Sequence, residues 1–511
     1  MRIGKFLSAI AVLVLVFGLA TFTSRAGTPP ADDTANAKST VHPSSVRSPD
    51  ALTDTVPGPN YGLFTCQVGL SSHVCYDPYQ MRHAYAVDNL LNAGFNGAGT
   101  TIVIVDAFQS PNIVQELNFY NSFYGLPSMN GLGAPNNPNL PTFTQVAPDG
   151  LTPFVPGDSN MTGWAEEITL DVLWAHAIAP GANIVLVLSK DNNDSSIVSA
   201  EKYAVDNNLG DVISQSFGEN ESCLAPADLA SYNQVYTEAT QKNITIFASS
   251  GDQGASQGTC DGNSWVRAVS FPASHPLATG VGGTELHAAM YCLTVLGCNP
   301  AANPLPGTYF GEIVWNEILS PGGPSASSGG GYSVLFDEPS YQQGTIHGGK
   351  QRGVPDVAYN AAVFHGVLTY LNIPGIPVGF YLFGGTSAGS PQWAAITAIA
   401  DQKAGGRLGF INKALYHIGQ AQSHYSASLH DITDGNNSVT EFDSTGTPVQ
   451  ITGFSAGEGW DPTTGLGSPI ADNLVGYLIQ FVSPGDGTAA IAQSTPHTGG
   501  NLSKNGKVKP H

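Results

Sequence analysis

The stretch ANIVLVLSKDNNDSSIVSAEKYAVDNNLGDVISQSFG (182–218) carries the reading of the fold. Its first eight residues, ANIVLVLS (182–189), are an apolar run rich in β-branched side chains. Residues 196–207 then repeat apolar positions at helical spacing, and DVISQSFG (211–218) is a second apolar run. Strand, helix and strand in so short a span predict a parallel pair joined by a helical crossover. Working outward, TIVIVDAF (101–108) and ITIFASSGD (244–252) read as further strands, and 163–177 and 226–241 as further helices. The alternation predicts an α/β fold with a predominantly parallel central sheet and helices on both faces. In such sheets ligands sit beyond the carboxyl ends of the strands. Asp106 and Asp252 fall there. No internal repeat is present.

The 511 residues suffice for a sizeable core. Residues 3–20 are apolar behind Arg2 and Lys5, and small residues follow, so 1–26 read as a secretory signal cleaved after Ala20 or Ala26. An uncleaved anchor is the alternative reading of this run. No later segment is apolar for long enough to span a bilayer, so the mature protein is expected to be soluble, extracellular and not a membrane protein. Residues 27–60, rich in Ser, Thr, Pro, Asp and Ala, read as a flexible lead. Residues 61–483 read as one domain and 484–511 as a disordered tail.

Six cysteines fit an oxidising compartment. Fifteen pairings are open to six cysteines; sequence order makes Cys66–Cys75, Cys292–Cys298 and Cys223–Cys260 the easiest. No CxxC is present, which weakens a zinc or redox reading. Lys and Arg total 18 against 39 Asp and Glu, a formal charge of −21, which argues against a nucleic-acid partner. So few basic groups also limit self-repulsion in acid.

Three segments carry chemistry. In FGGTSAGSPQWAAITAIA (383–400), small residues surround Ser387 and lead into an Ala-rich helix. A peptide backbone can approach this serine closely, and the helix start adds positive potential. A serine near a helix N-cap has the same look, and the segment matches both G-T-S-x-x-x-P and G-x-S-x-G, so its partners decide. In GWAEEITLDVLWAHAIAPGA (163–182), Trp164, Ile168, Val172 and Ala175 form an apolar stripe. Glu167 and Asp171, i and i+4, share one face. A solvated acidic face would give the same pair; buried together, the two acids would share a proton. Glu166 lies five residues from Asp171 and is expected to point elsewhere. In SSGDQGA (249–255), a strand runs into Asp252, which alone would read as a turn residue.

Taken together, these segments resemble the sedolisin family of serine-carboxyl peptidases, relatives of subtilisin in fold. The matching residues are Glu167-Ile-Thr-Leu-Asp171 followed by Ala179-Pro-Gly-Ala182, Ser250-Gly251-Asp252, and Gly385-Thr386-Ser387 through Pro391. SGGGYSVLFDEPSYQ (328–342) and RGVPDVAYNA (352–361) match as well, and the resemblance covers roughly 75–480. It implies a subtilisin-like fold and an acid-active site with carboxyls in place of the histidine base: Ser387 as nucleophile, Glu167 as general base then acid, Asp171 orienting Glu167, and protonated Asp252 donating to the oxyanion. The set suits acid, because a histidine base of pKa about 6.5 is only ~0.3% neutral at pH 4 while a carboxylate near 4.3 is poised to accept a proton. Asp106 is assigned a supporting place beside the Glu–Asp pair. Protein or peptide substrates and a monomer are implied; endopeptidase action is the expectation because nothing marks a plug closing one end of the cleft, and exopeptidase action stays open.

The resemblance further implies one calcium ion in a C-terminal loop region, LHDITDGN (429–436) and FSAGEGWDPTTGLGSP (454–469). The ligands would be the carboxylates of Asp431 and Asp461 and the carbonyls of Ile432, Gly457 and Gly459, hard oxygens of the kind calcium takes. The family's long prosegment has no counterpart in residues 27–72, which carry no globular pattern, so the chain is expected to lack one. Three rival readings meet obstacles in the residues. A Ser-His-Asp protease needs histidine where Glu167 stands, and His176 faces away. An esterase needs a downstream acid and then a histidine, whereas Asp431 follows His430. A non-enzymatic binding protein does not call for all four acid and serine positions to be filled.

Overall fold

The structure is a computed structural model describing residues 40–58, 61–133, 136–346, 350–483, 486–491 and 496. Its central sheet has eight strands: β1 (Thr101–Ala107), β2 (Phe143–Val146), β3 (Asn183–Ser189), β4 (Val212–Gln215), β5 (Thr245–Ser249), β6 (Thr279–Ala288), β7 (Tyr309–Val314) and β8 (Val357–Asn360). The order is β7-β6-β5-β4-β1-β3-β2, with β8 also paired to β6. Every pairing is parallel except β6 with β7. Ile102 to Ala107 are all buried, as expected of strands covered on both faces.

Five helices matter for the site: α1 (Ile113–Tyr124), α2 (Ser159–Ile178), α3 (Asp194–Asp206), α4 (Pro226–Gln241) and α5 (Gly389–Ala404). Helices α2 and α5 pack on each other and on β1, and α3 packs on α4 and on β3. The start of α2 lies ahead of its apolar stripe because Asp158 caps it, accepting from the Met161 N–H at 2.9 Å. The run 211–218 is not one strand. It breaks at Ser216, and Phe217–Asn220 leaves the sheet to pair with His42–Pro43 and Ser270–Phe271. The run 244–252 stops at Ser249, where Gly251 takes φ 98°, open to glycine at no steric cost.

A second sheet lies beside α2. In it β9 (His365–Leu371) pairs antiparallel with β10 (Gly379–Gly384), Val74–Tyr76 joins β9, and Val46–Arg47 joins β10. This differs from the expectation of a flexible lead over 27–60. Residues 40–58 contain three short strands; the first two pair with distant segments, and Thr55–Val56 pairs with nearby Leu63–Phe64. In the expected tail, Asp486–Ile491 is helical and Lys413 Nζ donates to Asp486 at 2.6 Å. The expected signal and the rest of the tail lie outside the described residues. The disulfides are Cys66–Cys75, Cys223–Cys260 and Cys292–Cys298. Among the described residues no helix is long and apolar enough to cross a membrane.

The RGVPDVAYNA segment is anchored by a fully buried ion pair between Arg352 and Asp356. Asp356 also accepts from the Gly280 N–H of β6 at 2.7 Å and the Tyr416 hydroxyl at 2.9 Å. Replacing Arg352 with Met would leave that carboxylate buried and without its cation. The Arg352→Met variant is expected to lose about 3–5 kcal/mol of stability, read as a lower urea midpoint; an unchanged midpoint would contradict the assignment.

Candidate active site

Helix α2 is sunk so deeply that, from Trp164 to Ile178, only Glu166 keeps partial exposure. Glu167 and Asp171 are therefore fully buried on its shared face. Asp106, near the end of β1, is fully buried too. Burial raises the pKa of Glu167 well above the ordinary range, and the Asp171 charge raises it further. Burial and the Asp106 charge do the same to Asp171, and burial and the Glu167 charge to Asp106. The three carboxyls thus titrate as one set. None of their oxygens has a hydrogen-bond partner of good geometry, although Ser387 and Ser45 lie close enough to pull the Glu167 pKa down.

Asp252 follows β5 and is 3% exposed. Its Oδ1 accepts from both the N–H and the hydroxyl of Thr386, each at 2.8 Å, while Oδ2 has no partner. Burial pushes its pKa up to about 7 against the pull of those two bonds. The SGGG segment holds this turn in place. Gly329 N–H donates to the Gly251 carbonyl at 2.7 Å, and a Cβ on Gly329 would lie 2.0 Å from the Ser250 carbonyl oxygen.

Ser387 sits in the short turn Thr386–Ala388 between β10 and α5 and is fully buried. Its hydroxyl donates to the Ser216 carbonyl at 3.2 Å. The lead passes directly over it. Ser44 N–H donates to the same Ser216 carbonyl at 3.0 Å, and Ser387 N–H donates to the Ser44 carbonyl at 3.1 Å. Upstream, His42 and Pro43 pair with Gly218 and Phe217; downstream, Val46 and Arg47 pair with Gly384 and Phe383. Ser48 N–H donates to Leu382 at 2.8 Å and Leu52 N–H to Phe380 at 2.7 Å. The lead is an extended peptide added to two strand edges, with the Ser44–Ser45 bond at Ser387. A Cβ on Gly385 would meet the Ser44 carbonyl oxygen at 2.4 Å and Asp252 Oδ2 at 2.5 Å. The carbonyl and the free carboxyl oxygen therefore border the same small space beside Gly385.

Glu166, expected to point elsewhere, accepts from Arg47 Nε at 2.8 Å. His176 is fully buried with Nε2 2.8 Å from the Pro127 carbonyl, and no hydrogen bond joins it to Ser387. In the C-terminal loops, Gly457 N–H donates to Asp461 at 3.2 Å, and Gly459 N–H to both oxygens of Asp431 at 3.1 and 3.0 Å. The two carboxylates thus close on one Gly-Glu-Gly loop, with Ile432 buried beside Asp431. A second group able to hold a metal was missed in the sequence. Glu285 and His287 of β6 and His365 of β9 bring ligand atoms within 4.8 Å of one another. Only their alternation on one strand, Glu285-Leu-His287, could have signalled it.

No family model matches the chain. It is similar to kumamolisin of Bacillus sp. (strain MN-32), 31% identical over 431 residues, covering 83% of this chain and 67% of kumamolisin. It is similar to sedolisin of Pseudomonas sp. (strain 101), 30% identical over 292 residues, covering 56% of this chain but 44% of that protein. The chain thus spans two thirds of the first relative and under half of the second. The solved Pseudomonas sedolisin, a serine-carboxyl proteinase complexed with two molecules of pseudo-iodotyrostatin, superposes with a TM-score of 0.63 at 25% identity, over 81% of this chain and all of that one. The protein is a serine-type peptidase with a subtilisin-like α/β fold. It belongs to the sedolisin family.

The buried acids have a consequence for stability. Besides Asp252, burial lifts Glu116 and Glu221 to about 7 and Asp401 and Glu441 to about 8. Each folded pKa lies above its unfolded value near 4, so the stability these groups contribute is full below about pH 4 and is lost as pH rises towards 8. Buried His176 and His275, lowered to about 4 and about 3, act oppositely, losing stability as pH falls below about 6.5. The acids are more numerous. Thermal scans are expected to give a lower melting temperature at pH 8 than at pH 5, and a curve that rises over this interval would contradict the burial of neutral carboxyls.

Proposed function

We propose that the protein is a secreted, acid-active endopeptidase that cleaves through an acyl-enzyme on Ser387. The observation that carries this reading is the extended peptide over Ser387, whose Ser44 carbonyl accepts the Ser387 N–H at 3.1 Å. A substrate peptide would take that track. Glu167, ionised, accepts the proton of the Ser387 hydroxyl as Oγ attacks the carbonyl carbon. Asp171 and Asp106 hold Glu167 in position. The oxyanion accepts hydrogen bonds from the Ser387 N–H and from the hydroxyl of neutral Asp252. Glu167 then passes its proton to the leaving amine, and a water molecule repeats the sequence to release the acyl group.

The pH range follows from the carboxyls. Asp252 donates only while protonated, so activity falls as pH rises through about 7; Asp171 and Asp106 keep their protons and leave the cluster's one charge to Glu167, and at the acid limb that charge is lost and Glu167 stops accepting. The same contacts make residues 40–52 a competitor for the cleft, so turnover requires the lead to leave or to be cut between Ser44 and Ser45. Peptide hydrolysis measured from pH 2 to 9 is expected to peak in acid and to vanish in Ser387→Ala and Glu167→Gln. Asp252→Ala is expected to lower kcat by about 10²–10³. A maximum above pH 7, or near wild-type rates in Glu167→Gln, would sink this site.

We also propose that Asp431, Asp461 and the carbonyls of Ile432, Gly457 and Gly459 hold calcium. Both carboxylates are held against one glycine-rich loop by its amide N–H groups, and together with the three carbonyls they would offer a hard cation oxygen ligands alone. When bound, calcium would neutralise both acids and tie the two loops together. Chelation of the purified protein is expected to lower its melting temperature by several degrees, and Asp431→Asn is expected to abolish that response; a melting temperature indifferent to chelator would remove calcium from the account.

A further inference from the structure

The cleft carries a built pocket for one side chain beyond the bond being cut. Counting from the Ser44–Ser45 bond, Arg47 is the third residue downstream. Its guanidinium is held from two sides by groups outside the lead. Nε donates to Glu166 Oε1 at 2.8 Å, and the charged carbon lies 4.9 Å from the centre of the Tyr381 ring. The Arg47 and Glu166 side chains keep only 22% and 15% of their exposure, so the pair is largely shielded from water. The backbone fixes the register: Arg47 pairs with Phe383 and Val46 with Gly384 on β10, the strand that also bears Tyr381. Glu166 stands on α2 immediately before Glu167 and is the one residue between Trp164 and Ile178 with partial exposure. Helix geometry thus sends Glu167 inward to Ser387 and its neighbour into the cleft wall.

We infer that Glu166 and Tyr381 form a subsite that selects Arg or Lys at the third position after the cleaved bond, an inference that rests on the reading of Ser387 given above. A carboxylate gives the cation an ion pair, and an aromatic face gives it a second attraction. Because main-chain pairing holds the peptide on both sides, this pocket adds sequence preference to a backbone grip that carries none. An acidic side chain placed there meets Glu166 directly and is rejected.

The test uses quenched peptides built on the chain's own Val-His-Pro-Ser-Ser-Val-Arg-Ser sequence (41–48), with Arg, Gln or Glu at the seventh position. Wild-type protein and Glu166→Lys are compared at about pH 6, well above the ordinary glutamate range, because burial raises the Glu166 pKa while the bound cation lowers it. The chain's own lead competes alike with all three peptides, so the ratio of their kcat/KM values is unaffected by it. Wild type is expected to prefer Arg over Gln by about three- to tenfold and over Glu by more. In Glu166→Lys the order is expected to invert, with Glu cleaved faster than Arg. Hydrolysis with the same Arg-to-Glu ratio in both proteins would overturn the subsite and leave Ser387 standing. No hydrolysis of any peptide by the wild type would overturn the subsite together with the reading of the cleft.

Discussion

Three carboxyls, Glu167, Asp171 and Asp106, are packed together in the dry interior, where burial and then one another's charge raise their pKa values. Ionising all three there would be severely unfavourable, so the cluster keeps protons that exposed acids would release. The depth of α2 creates this situation. A helix buried along almost its whole second half removes water from any acid it carries, and i, i+4 spacing stacks two of them. In an exposed helix the same pair would be a few tenths of a kcal/mol of repulsion; buried, it becomes a proton store beside Ser387. Greater stability in acid follows from that burial, because there the carboxyls are neutral, and the proposed base role of Glu167 requires its two neighbours to keep their protons while it gives up its own.

Around that store the fold leaves a slot between two strand edges. One edge is Phe217–Asn220, released from the central sheet by the break at Ser216; the other is β10. The break frees the Ser216 carbonyl, which accepts from both the Ser44 N–H and the Ser387 hydroxyl. A continuous strand through 216 would have committed that carbonyl to the sheet. The irregularity therefore positions the peptide and the serine against a common acceptor, and it explains why one sheet ends where the cleft begins.

The strands, the helices and the three motif segments were legible because each buries a face and so carries a period of 2 or 3.6, or has small residues where the chain packs closely. Gly389 is such a case, since a Cβ there would lie 2.8 Å from Val281 and 2.9 Å from Tyr359. What was not legible depends on partners far away in sequence. Residues 40–52 bury no regular face; they are ordered by hydrogen bonds to strand edges, and composition alone reads them as a flexible lead. The direction of Glu166 is set by Arg47, 119 residues away. The Glu285, His287 and His365 group forms only when β6 and β9 meet. The break at Ser216 sits inside an apolar run that looks continuous, because the residues on either side are buried in both arrangements.

The arrangement at Asp252 adds a directional constraint that a list of residues would not contain. Its Oδ1 already accepts two hydrogen bonds from Thr386, so a proton on that oxygen would have to displace a donor. The neutral acid therefore carries its proton on Oδ2, the oxygen that borders the same small space as the Ser44 carbonyl. Thr386 precedes Ser387 in the chain, so the residue that orients the acid and the residue whose N–H faces the carbonyl belong to one short turn. Any movement of that turn shifts both donors together, and Gly385 keeps the space before them clear. A backbone amide and a carboxylic acid, the two oxyanion donors proposed above, are thereby held as one unit, and only the second of them responds to pH.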